Sequence, residues 1–264
     1  MSTQAYRSSF MMEIKNAMVY RANLFFYLTY VVIPPLALFF LWKSYFENTG
    51  RLLSYDLNGM VTYSIITHFF VSNTPFSAWS EIGESIKDGG LTLWLIKPIN
   101  HYRIYLARLI GSWVPLWIVS LSGVSAVIFA LRNYITFQTN LLYVSVSILF
   151  WMGGVILGFT VGYLVNLLSF WTDRSSGGFV LLSGLTYLLS GAVLPLDILP
   201  LKQIWLALPF KYSGFFPAQI YLGRVPPAEW PIEFVKMLVW VLVLSIATRI
   251  VWNLGLQRYQ ASGG

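Results

Sequence analysis

Stretches of mainly apolar residues, each close to the length of about 20 that a membrane helix needs, recur six times and constrain this chain more than any other feature. They fall at about residues 24–46, 57–79, 110–131, 141–170, 177–196 and 232–254. Apolar residues make up 57% of the 264 and charged residues 10%, a contrast that excludes an ordinary water-soluble fold. Little chain is left over for a separate catalytic domain. The expectation is one all-α integral membrane domain, 1–264, with six transmembrane helices.

The spans are not uniform. Residues 5–22 place Tyr6, Phe10, Ile14 and Met18 at four-residue spacing, with Arg7, Glu13, Lys15 and Arg21 elsewhere on the wheel. That pattern suits an interfacial helix over 1–22 or the frayed start of the first span. It lacks the short apolar run and small-residue cleavage site of a signal peptide. Pro34 and Pro35 fall inside span one, where each removes a helix hydrogen bond. Span two carries Asn58, Thr62, His68, Ser72, Asn73 and Thr74, so one face at least must avoid lipid. Residues 195–232 hold seven of the twelve prolines yet stay rich in Trp, Phe, Leu and Ile. An apolar, proline-broken segment suggests short re-entrant helices between spans five and six, shielded by protein or water.

Six spans put both termini on one side. With that side cytoplasmic, ten Lys and Arg lie there against seven outside, and the first segment is densely positive. The net charge of +7 then reflects loops and anionic lipid rather than nucleic acid. The chain has no cysteine, which excludes disulfides and thiolate chemistry.

No chemistry of an enzyme is visible. His68 and His101 are the only histidines, and neither has a second ligand at metal-binding helical spacing. There is no GxSxG turn and no GxxxxGK[ST] phosphate loop, so ATP, if used, binds another chain. His68 reads as a proton relay, a substrate contact or a packing residue. Gly154, Gly158 and Gly162 form a small-residue ridge in span four, and Ser-Gly pairs at Gly177, Gly184 and Gly191 recur in span five. Such ridges admit another helix backbone, either within the subunit or at a dimer seam.

The segment 80–107 is the most informative. It reads EIGESIKDGGLTLWLIKPINHYRIYLARLIG from Glu81 to Gly111. Apolar Ile82, Ile86, Leu91 and Leu95 alternate with charged residues, giving a short amphipathic helix, a Gly89-Gly90 break and a second stretch stopped by Pro98. Read alone, it is either a partner-binding element or an interfacial loop resting on lipid.

The order of these features resembles the ABC-2 family of export permeases, in its six-span subfamily. The match is carried by Glu81, Ile82, Ile86, Gly89, Leu91, Leu95, Lys97 and Pro98, together with the N-terminal segment, the proline-rich stretch and the tail GLQRYQASGG. Lys97 stands where arginine is commoner, and Thr92 where an acid is frequent. The resemblance implies a pathway formed by two permeases, identical or related, with two ATPase subunits carrying ATP and Mg on the cytoplasmic face. Under it the loop is the coupling element, the Leu194 to Gly223 region an outer gate, and the location the cell inner membrane. Apart from the resemblance, an aromatic content of 17% and the membrane-level outer segment fit an amphiphilic or drug-like cargo, and equally interfacial anchoring by Trp and Tyr. Competing readings are a channel or secondary transporter working without an ATPase, and a membrane scaffold or lipid-modifying enzyme.

Overall fold

The computed structural model describes residues 2–19, 21–50, 52, 54–75, 80–96, 100–172 and 184–259. They form α1 (Ser2–Val19), α2 (Arg21–Thr49), α3 (Leu57–Ser72), α4 (Ser80–Lys87), α5 (Thr92–Leu95), α6 (His101–Ala130) and α7 (Leu141–Leu167). Helical residues 184–189 (α8), α9 (Lys202–Ala207), α10 (Phe215–Tyr221) and α11 (Trp230–Arg258) follow. Among the described residues no strand forms beyond one bridge between Leu52 and Tyr55. The chain is an all-α membrane protein.

Four described helices are long and apolar enough to cross a bilayer: Ala22–Thr49, His101–Ala130, Leu141–Phe170 and Pro227–Arg258. Pro34, Pro35 and Pro115 all sit inside continuous helix. Side-chain caps start three helices, because each first turn has amide groups without an internal partner. Asp56 accepts from Gly59 N at 3.0 Å, Asn100 from Arg103 N at 3.0 Å and Asn140 from Leu142 N at 2.9 Å.

The shorter α3 is surrounded by its neighbours, and several of its polar groups are met there, Thr67 Oγ1 excepted. His68 is bonded at both ring nitrogens, to Tyr187 Oη at 3.1 Å and to Tyr30 O at 3.0 Å. Asn73 donates to Ser120 Oγ at 2.8 Å, and Trp42 to Ser64 Oγ at 3.0 Å. Its polar face therefore points into the bundle, and His68 is a packing residue.

Pair contacts fix the helix directions. Tyr27 meets Asn73 while Trp42 meets Ser64, so α2 and α3 are antiparallel. Asn73 meets Ser120, whereas Val61 clusters with Val127, so α6 opposes α3. Tyr102 meets Thr160, whereas Trp117 meets Trp151, so α7 opposes α6. Tyr187 lies by His68, but Gly191 by Tyr63, so α8 opposes α3. Gly153 faces Met237 and Phe170 faces Gly255, so α11 runs parallel to α7.

Two large cores sit at opposite ends of α7 and α11. One gathers Trp42, Phe46, Tyr55, Tyr63, Phe150, Tyr212, Phe215, Phe216 and Met237. The other gathers Ile82, Ile86, Leu91, Ile104, Tyr105, Phe159, Tyr163 and Leu167. A third, smaller cluster of Phe39, Val61, Ile65, Val127 and Leu131 joins α2, α3 and α6.

Some boundaries differ from the sequence reading. Residues 101–107 belong to α6 rather than to a loop, because Asn100 supplies the cap that starts the helix there. The helix in the fifth apolar stretch stops at residue 189, where Gly191 turns with φ +80°. The segment 195–229 is a series of short helices, of which α10 is buried from Phe215 to Ile220, and residues 230–232 already belong to α11.

Candidate functional site

At the end of the bundle formed by the start of α6 and the ends of α7 and α11, the segment 80–96 folds as a cap. Only one side of α4 is apolar, so Ile82, Gly83 and Ile86 turn inward while Glu84 and Asp88 stay exposed. Gly83 N donates to Asn166 Oδ1 at 3.2 Å. A Cβ at Gly83 would stand 2.7 Å from Ser169 Oγ, so glycine lets α4 touch the end of α7.

Gly89 then takes φ +77°, a left-handed conformation that ends α4 at little cost only for glycine. The corner is closed by Leu91 N donating to Ser85 O at 2.8 Å, and by Thr92 N donating to Gly89 O at 3.1 Å. Leu91 is fully enclosed. Thr92 N also reaches Tyr259 Oη at 3.2 Å, tying the cap to the residue after α11. Three enclosed side chains, Ile82, Ile86 and Leu91, each hold the cap down by about 1.5–3 kcal/mol.

Of the residues singled out for partner binding, those three are buried against the bundle. Beyond them the cap presents Leu93, Leu95 and Ile96, which are 63%, 44% and 74% exposed. Gly89 shapes the corner between the two. Glu81 lies in α4, but its side chain is outside the described residues, as are Lys97 and Pro98 entirely.

Helix α1 braces the same end. It lies along α6, and its backbone at Phe10 approaches so closely that a Cβ on Gly111 would collide with the Phe10 carbonyl. Glu13 is buried and accepts from Arg108 Nε and Nη2, both at 2.7 Å. Nothing local in the sequence pairs residues so far apart, and this ion pair was not expected.

The glycine ridges are used unequally. Gly154 faces the Tyr212–Ser213 backbone, which a Cβ would strike, so this part of the ridge receives a turn of the same subunit. Gly158 and Gly162 are buried. Gly184 is exposed with open space beside it, whereas Gly191 packs under Tyr63 and Phe215. Gly177 lies outside the described residues.

The opposite end is closed by polar groups. Lys211 Nζ donates to Glu233 Oε2 at 2.6 Å, Tyr212 Oη to the same oxygen at 2.9 Å, and Lys236 Nζ to Oε1 at 2.8 Å. Tyr55 meets Asp197 Oδ1 at 3.1 Å and receives a bond from Gln219, while Arg224 lies over its ring, 3.6 Å from the centroid. Burial first, and then the Asp197 charge, push the Tyr55 hydroxyl well above the ordinary phenol range. A cavity of about 890 Å³ opens beside this network, between Lys211, Gln219, Arg224 and Lys236. No cluster of metal ligands occurs among the described residues.

Long apolar helices enclosing polar α3, with a seated cap at one end, define a multi-pass helical membrane protein built around its own bundle. A family model described as ABC-2 family transporter protein matches residues 32–263. The chain belongs to that family and is the membrane permease component of an ABC-type transporter. Neither the curated proteins nor the solved structures contain a match to it.

Proposed function

We propose that this chain is the permease subunit of an ATP-driven exporter in which two separate ATPase subunits dock on a pair of permeases, with the cap of α4 and α5 as this chain's docking element. The observation that carries the reading is the cap itself: an exposed apolar tip at Leu93, Leu95 and Ile96, rigidly seated on a core shared with α6, α7 and α11. An exposed patch on a firm seat suits a protein contact. A push on it reaches three long helices at once. Hydrolysis of ATP, with its Mg, belongs to the partner chain, and a second permease, identical or related, completes the pathway.

The alternation of α2, α3, α6, α7, α8 and α11 supports six passes with both termini on one side, and the excess of Lys and Arg supports a cytoplasmic side for them. The buried α10 supports a re-entrant outer gate over the Leu194 to Gly223 region. ATP-driven closure of the ATPases would move the cap and α1 together, rock the helices and release an amphiphilic or drug-like cargo outward.

Purification of the tagged chain from its host in mild detergent, with an ATP hydrolysis assay, tests the proposal. Recovery of an ATPase subunit is expected, with Glu81→Ala and Gly89→Pro reducing transport and coupled hydrolysis while the chain stays in the membrane. A chain recovered alone and inactive after cross-linking, or normal transport by both variants, overturns it.

A further inference from the structure

Below the cap, between the start of α6 and the last turns of α11, lies a cavity of about 650 Å³ that the coupling reading does not use. Its wall on α11 is Ser245, Thr248, Arg249, Trp252 and Asn253, at spacings of three, four, seven and eight residues, which is one face of a helix. Elsewhere α11 shows Val243, Ile246, Ile250 and Leu254 to the surroundings. A polar, cationic stripe on an otherwise apolar membrane helix is costly unless something meets it.

The facing wall supplies Asn100, His101, Tyr102 and Arg103 from α6. Arg103 stands in the first turn of α6, where the helix dipole disfavours a cation and no acid compensates it. Two arginines thus line the cavity and no acidic residue does. Neither guanidinium makes an ion pair among the described residues. The cavity wall also holds two buried polar atoms without a partner, His101 Nε2 and Thr248 Oγ1, on residues that are 8% and 7% exposed. Tyr163 Oη lies 2.8 Å from His101 Nδ1. When that hydroxyl donates, the neutral ring carries its proton on Nε2 and presents a donor. The His101 ring packs on Trp252 with centroids 4.7 Å apart, so the donors sit on an aromatic wall.

We infer that this cavity is a binding site for the phosphate headgroup of an anionic lipid, with Arg103 and Arg249 holding the phosphate and the Trp94 and Trp252 rings lying beside the glycerol and upper acyl chain. Paired cations, spare donors and adjoining aromatic surface at a helix end match that chemistry. Free phosphate shares the charge but not the chains. The site requires only that the chain sits in a bilayer, so it stands or falls separately from the ATPase partnership.

Native mass spectrometry of the full chain, equilibrated with equal amounts of phosphatidylglycerol and phosphatidylcholine of the same acyl length, tests it. Retained phosphatidylglycerol is expected to exceed phosphatidylcholine by on the order of tenfold. The Arg103→Gln/Arg249→Gln double variant should abolish the preference, and either single variant should lower it by about threefold should the double variant fail to fold. Arg258→Gln, on the same helix but outside the cavity, should leave it intact. Equal retention of the two lipids, an equal loss in Arg258→Gln, or displacement of phosphatidylglycerol by millimolar inorganic phosphate overturns the lipid site.

Discussion

The two ends of α7 and α11 are finished in opposite ways. At one end the proline-rich segment folds back, buries Tyr212, Phe215 and Phe216, and satisfies Glu233 with three donors from Lys211, Tyr212 and Lys236. At the other, Ile82, Ile86 and Leu91 seat a cap whose tip is left uncovered, beside an acid-free cavity with two arginines. The first end pairs its buried charges within the subunit, whereas the second leaves the two cavity arginines without an acid.

The sharpest way to break that contrast is to unpair a buried charge. Glu233→Ala leaves Lys211 enclosed without its acid and should cost about 3–5 kcal/mol, seen as lost thermal stability in detergent. The braced end should respond as strongly to Glu13→Ala, while Glu13→Leu with Arg108→Met should recover much of the loss. Ile82→Ala should cost about 2–5 kcal/mol, with hydrogen exchange rising in α4 and α5 before it rises in α10. Gly154→Ala drives a methyl into the Tyr212 backbone and should cost about 1–3 kcal/mol, destabilising the closed end first. Leu93→Ser with Ile96→Ser should change stability by no more than about 0.5 kcal/mol yet weaken ATPase recovery, which would separate docking from folding. Unchanged recovery in that variant would place the ATPase contact elsewhere.

Much of the closed bundle was legible because long apolar runs have one economical solution in lipid. The inward set Ile82, Ile86 and Leu91 was equally legible, since helical spacing and the Gly89 break leave one face for the core. Their role was less so: the same spacing fits a face that binds a partner and a face that seats the cap, and only the fold separates them. The start of α6 was misplaced because His101, Arg103 and Arg108 look like loop residues, although Asn100 two residues after Pro98 was an available start signal. Glu13 with Arg108 depends on packing between distant helices and leaves no local trace, whereas the α11 stripe repeats at helical spacing and only its meeting with His101 needs the fold.

The parallel course of α7 and α11 has a mechanical consequence. Helix α7 alone spans about 40 Å, and both helices are gripped at each end by aromatic contacts. A stiff rod of that length converts a tilt of about 5° at the capped end into a sideways travel of roughly 3.5 Å at the far end. Two such rods packed against each other keep their spacing as they lean, and the turn at Tyr212 and Ser213, which touches both, is carried with them.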